Sequence, residues 1–217
     1  MTRGRATGTP KPQHERAEGA NSRHGGGAPD PRVTRSRERV LAAAVDLVAE
    51  RGAAGATIEA VAVRSGVAKT TIYRQWPHQA ALVLDAFRGV APDAPVPDTG
   101  TLRGDLVSLL GGLAAALSSG PAGSLMPALI DAAERDPDFA ELHAEEARRR
   151  HQPVLAVLAR GIERGELPVG VGPRHVDDLA DLVDRLAGPV FHRRFVSGLP
   201  LDRGFVARVV DGVLGAP

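Results

Sequence analysis

Between Thr57 and Leu82 the chain reads TIEAVAVRSGVAKTTIYRQWPHQAAL. Lys69, Thr70, Thr71, Tyr73 and Arg74 gather ammonium, hydroxyl, phenol and guanidinium donors in one short helical stretch. Such a face suits phosphate oxygens and base edges better than a protein interior. Ile58, Val61, Ala62 and Val67 recur at roughly helical spacing and can share a core. Gly66 falls where the chain must bend, and glycine tolerates positive φ. Two short helices around a tight turn make a helix-turn-helix, so sequence-specific DNA binding is the leading reading. The chemistry of an enzyme is not visible. There is no phosphate loop, no Gly-x-Ser-x-Gly elbow and no H-E-x-x-H pair. Asp131, Glu134 and Asp136 cluster at a helix end, where carboxylates usually solvate or cap.

The elements that position these residues are helical. A first helix is expected over about Thr34–Arg51, capped by Thr34 or Ser36 and stopped by Gly52. Thr57 caps the second, the third spans about Lys69–Gln75, and Pro77 opens a fourth that runs to about Gly89. After APDAPVPDTG, leucines from Leu102 to Leu117 repeat at helical intervals. Further helices are expected over Ser124–Arg135, Pro137–Arg164 (interrupted or kinked at Pro153), Pro173–Ser197 and Asp202–Leu214. The organisation is therefore a disordered basic tail over 1–32, a helix-turn-helix domain with a linking helix over 33–90, a Pro-rich connector over 91–100, and a helical domain over 101–217.

Composition agrees. The 217 residues are 43% hydrophobic but only 3% aromatic, so Leu, Val and Ala must build the core, and helix is favoured over sheet. With 0 Cys there are no disulfides or thiolate metal sites, which fits a reducing cytosol. No run of apolar residues is long enough for a membrane span, and no secretory signal opens the chain. The net charge of +1 hides an asymmetry. Residues 1–90 carry 14 Lys and Arg against 8 Asp and Glu, while the remainder carries 13 against 18. A basic front and an acidic back suit a DNA-binding module joined to a domain that does not touch DNA, although a solvated, unevenly charged surface reads the same way. Arg3, Arg5, Lys11, Arg16, Arg23 and Arg32 make the tail either a DNA-sliding arm or a passive extension.

The chain resembles TetR/AcrR-family transcriptional regulators. The resemblance rests on Thr57, Ile58, Ala62, Gly66, Val67, Thr71, Ile72, Tyr73, Trp76 and Leu82 at the family's spacing. The back half resembles one subgroup through LRGDL from Leu102, RDPDFAEL from Arg135, GELP from Gly165 and LAGPVFHRRFVSGLPLDRGFV from Leu186. The resemblance implies an all-α fold: a three-helix DNA-binding domain followed by a helical ligand-binding and dimerisation domain. It implies a cytoplasmic, nucleoid-associated homodimer on a palindromic operator of double-stranded DNA, released by a small-molecule effector of unknown identity. It implies neither membrane, metal nor cofactor. A dimeric helical adaptor with lost or degraded DNA binding is the alternative.

By the family pattern Thr57 contacts a backbone phosphate, or serves only as a cap. Lys69, Thr70 and Thr71 stand at the exposed start of the third helix. Tyr73 offers its hydroxyl to a phosphate, or is a core tyrosine. Arg74 lies near the backbone, or is merely solvated. The family's helix-four lysine is here Gln79, with His78 beside it as a weak substitute. Leu109, Leu113, Leu117 and Met126, with Leu129, Phe139, Leu155, Leu158 and Phe191, are candidates for an apolar effector pocket or for ordinary core. Leu182, Leu186, Val190 and His192, with Arg193, Phe195, Phe205 and Val209, are candidates for the dimer interface. His143, His151, His175 and His192 are scattered without metal-ligand spacing.

Overall fold

The computed structural model describes residues 31–167 and 176–215. The basic arginines before Pro31, and His175, lie outside the described residues. Every regular element among the described residues is an α-helix.

Helix α1 (Pro31–Gly55) starts earlier than expected because Pro31 occupies its first position, where a missing N–H costs nothing. Thr34 and Ser36 therefore sit inside the helix and are not its caps. Gly52, at φ 73°, breaks the helical path, and one further short turn follows. Helix α2 (Ile58–Ser65) is capped by Thr57, whose hydroxyl oxygen accepts from the Ala60 N–H at 3.1 Å. It ends at Gly66 in the left-handed region, φ 65°. A side chain there would be strained in backbone and would stand 2.9 Å from the Arg39 guanidinium, which caps the Ser65 carbonyl. Helix α3 (Lys69–Gln75) follows.

Helix α4 (Gln79–Val90) begins two residues later than expected. His78, not Pro77, is decisive: its Nδ1 accepts from the Ala81 N–H at 3.3 Å and caps the helix. The linking helix is fastened at its start. Gln79 donates to the Ala53 carbonyl at 2.6 Å, and Asp85 accepts from both the Trp76 indole N–H at 2.8 Å and Arg37 at 2.7 Å.

Helices α5 (Leu102–Ser119) and α6 (Pro121–Arg135) meet at Gly123, where a Cβ would lie 2.1 Å from the Leu117 carbonyl oxygen, so only glycine fits. Asp136 caps α7 (Pro137–Glu163), and this helix runs through Pro153 without the expected interruption. Helix α8 (Val176–Phe195) likewise contains Pro189. Asp202 caps α9 (Arg203–Leu214) by accepting from the Phe205 N–H at 2.7 Å. No single described helix is long and apolar enough to cross a membrane.

Two hydrophobic clusters hold the fold. The first joins α1–α4 to α6 and the start of α7, and the second joins α5, the later part of α7, α8 and α9. The first cluster crosses the Pro-rich connector: Leu125, Leu129 and Phe139 pack with Leu47 and Phe87. Leu129 and Phe139 are thus core residues away from the expected pocket, as is Leu158 in the second cluster. Leu182, Leu186 and Val190, expected at a dimer interface, are at most 3% exposed and pack inside their own subunit. The apolar stripe of α8 is needed to close the second cluster, so it faces inward.

Candidate nucleic-acid interface and cavity

α3 divides sharply by face. Ile72 is 0% exposed and joins the first cluster, whereas Lys69, Thr70 and Arg74 are exposed and Tyr73 is 47% exposed. Thr71 is half-buried. Thr57 stands at the start of α2 with its oxygen used as a cap, but its hydroxyl proton has no acceptor among the described residues, so capping and donation to a phosphate are compatible. Lys69 pairs with Glu59 on α2 at 3.2 Å across the exposed face. The Glu59 carboxyl is held below its ordinary range first by its own backbone N–H and then by Lys69. His78 keeps Nδ1 as a cap acceptor, which leaves Nε2 to carry the proton and face outward. Gln79 spends its amide on the Ala53 carbonyl, so it cannot stand in for a phosphate-binding lysine.

Lys69, Thr70, Tyr73 and Arg74 are thus exposed donors on a base fixed in the first cluster through Ile72. The base also carries Arg64 on Glu50, a bidentate pair with both bonds at 2.7 Å. Among the described residues no group of three or more His, Asp or Glu is placed to hold a metal ion.

A match to the family model "Bacterial regulatory proteins, tetR family" covers residues 40–86, and the "Tetracyclin repressor-like, C-terminal domain" covers residues 96–213. The chain belongs to the TetR family. Similar TetR-family regulators include YdeS, an uncharacterized HTH-type transcriptional regulator of Bacillus subtilis, 34% identical over 83% of this chain and 88% of YdeS. The DNA-binding transcriptional repressor TetR of Mycobacteroides abscessus is 35% identical over 81% of this chain and 90% of its own length. The crystal structure of the TetR-family regulator SCO0332 superposes with a TM-score of 0.59 at 35% identity, covering 84% of this chain and 98% of that one. This TetR-family protein is thus a helix-turn-helix transcriptional regulator, a class that is not enzymatic. Members of the family bind DNA and small-molecule effectors and act as dimers.

The second feature of this TetR-family chain is a cavity of about 570 Å³ where the two clusters meet. That is within the usual range for small-molecule sites. Of the residues expected there, Leu109, Leu113, Leu117, Met126 and Phe191 line it. Leu155 does not; its neighbour Val154 does. Pro153 also faces the cavity, as do Val90 to Pro95 at the end of α4 and in the connector.

One end of the cavity is polar, and sequence reasoning missed it. Glu146 is 2% exposed and accepts from Arg88 of α4 at 2.7 Å, from Arg149 at 2.6 and 3.1 Å, and from Arg150 at 2.8 Å. Burial works to raise its pKa, but Arg149 and Arg88, then Arg150, hold it below the ordinary glutamate range. Arg88 and Glu146 stand 58 positions apart, so only the fold brings them together. His143 and His151 also line the cavity, with no hydrogen-bond partner among the described residues. Burial lowers the His143 pKa, with Glu146 opposing, so the ring is neutral near pH 7.

The expected dimer residues separate as well. His192 is exposed, Arg193 donates to the Pro200 carbonyl at 2.7 Å and lies 4.4 Å over the Phe205 ring, and Phe195 packs on Phe191 at 5.9 Å. Phe205 and Val209 are half-buried against the second cluster.

Proposed function

We propose that this regulator binds a palindromic operator as a homodimer, represses from it in the bacterial cytoplasm, and is released when a small molecule occupies the cavity. The observation that carries the reading is the split of α3. Its apolar side is fixed in the core, and Lys69, Thr70, Tyr73 and Arg74 remain outside. Thr57, Thr71 and the Nε2 of His78 extend this surface at its edges and contact phosphates. One such helix makes few base contacts, so two are needed about one turn of DNA apart, which imposes a palindrome. The dimer contact uses the outward sides of α8 and α9, where His192, Phe195, Phe205 and Val209 retain exposed surface. The 33–90 and 101–217 segments divide the labour between DNA and effector, with 91–100 between them.

Release requires an effector that binds one conformation better than the other. The cavity touches α4 directly through Leu84 and Phe87, so a ligand there alters the packing of the linking helix. A mobility-shift titration on DNA from upstream of the protein's own gene is the test. A salt-sensitive complex with two subunits per site supports the reading. Absence of any complex, or a complex of one subunit, refutes it.

A further inference from the structure

We propose that the cavity takes an apolar small molecule carrying one anionic head, and that this head engages Arg150, the residue joining the cavity wall to the end of α4. The inference rests on the effector reading above and assigns the ligand's chemistry.

The argument is one of hydrogen-bonding capacity. Each Glu146 oxygen accepts two guanidinium bonds, so the buried carboxylate has nothing left to offer a cationic or donor ligand. Asp93 is paired with Arg149 and stands at the exposed rim. Arg150 donates Nε to Glu146 and Nη2 to the Ala91 carbonyl, and its Nη1 bonds nothing among the described residues. The unspent charged group on the wall is therefore a donor. The rings of His143 and His151 line the same wall, and each carries an N–H donor in any protonation state. Around Glu146 and Asp93 stand Arg88, Arg149 and Arg150, leaving one guanidinium charge in excess. The rest of the wall, from Leu109 and Leu113 to Met126 and Phe191, is apolar. A carboxylate on a hydrocarbon or aromatic body satisfies both ends.

Arg150 is also the place where such a head is felt by α4. Its guanidinium lies 4.6 Å over the Phe87 ring, bonds the carbonyl of Ala91 that ends α4, and shares Glu146 with Arg88 of α4. A head that draws Arg150 inward loosens these contacts together. The chain carries a built-in reporter, because its single tryptophan, Trp76, donates to Asp85 on α4.

The test uses the full chain and three probes with one tail: decanoate, decanol and decyltrimethylammonium, each titrated below its micellar concentration by calorimetry and by Trp76 emission. Decanoate is expected to bind at least tenfold more tightly than the other two and to shift Trp76 emission. In Arg150→Gln, checked for folding by urea denaturation, decanoate should fall to the affinity of decanol while decanol is unchanged, and Arg150→Lys should recover part of the difference. Equal affinities, a cation preference, or no binding by any probe overturns the proposal on the wild-type chain alone. The effector reading fails separately: decanoate that binds through Arg150 but leaves operator affinity unchanged keeps the ligand class and removes its role in release.

Discussion

Tyr73 shows how little of a side chain decides function. Its side chain is exposed, and only the hydroxyl distinguishes it from phenylalanine. Tyr73→Phe is expected to leave folding untouched and to weaken operator and unrelated DNA alike, by about tenfold, the cost of one charge-assisted bond to phosphate. Anisotropy titrations on both DNAs check this; a loss confined to the operator would mean base contact instead. Gln79 is the opposite case. Its amide is spent within the domain, so Gln79→Ala should cost about 1 kcal/mol in urea unfolding of the free protein. Lys69 was legible as an exposed donor, but its pairing with Glu59 was not, because ten residues and a turn separate them. Glu146 was hidden for the same reason: three of its four bonds come from nearby arginines, and the fourth comes from Arg88, 58 positions away.

At the scale of elements, local signals were read well and long-range ones poorly. The bounds of α3, the Thr57 cap and the Gly66 turn all follow from side chains within a few residues. The start of the fourth helix falls two residues after Pro77 because His78 is an unusual cap and Pro77 a common first residue. Of the kink or interruption expected at Pro153 the interruption does not occur, because a helix supported on both sides by packing tolerates one lost bond. The inward face of α8 cannot be told from an interface face by periodicity, since both are apolar stripes. The turn between α2 and α3 yields a direct prediction. Gly66→Ala should lose about 1–2 kcal/mol of stability, from the left-handed backbone and the displaced Arg39, with a matching fall in thermal midpoint.

For the whole molecule, two buried carboxylates set the response to acid. Asp105 is 0% exposed; burial would raise its pKa, but the Thr99 N–H and hydroxyl, then Arg164 and Arg160, hold it below the ordinary range. Glu146 behaves alike. Both ionise at ordinary values in the unfolded chain, which therefore binds more protons in acid. Their contribution is complete above about pH 5 and is lost as pH falls through the folded-state values. Asp105→Asn should flatten the acid limb of a stability–pH profile and cost about 1–3 kcal/mol at pH 7, where the Thr99 N–H and hydroxyl lose a charged acceptor and Arg160 and Arg164 keep only Asp98, Glu166 and the Pro97 carbonyl. Denaturant midpoints from pH 3 to 8 measure both effects.

The arginines of α7 have one more effect. Arg149 holds Asp93, Arg150 the Ala91 carbonyl, and Arg160 both the Pro97 carbonyl and Asp98, so the proline-rich stretch is stitched along the side of a single helix. Under the release proposed above, this strapping gears the reading head to the ligand chamber: a tilt of α7 would be transmitted along the connector rather than lost in a loose joint.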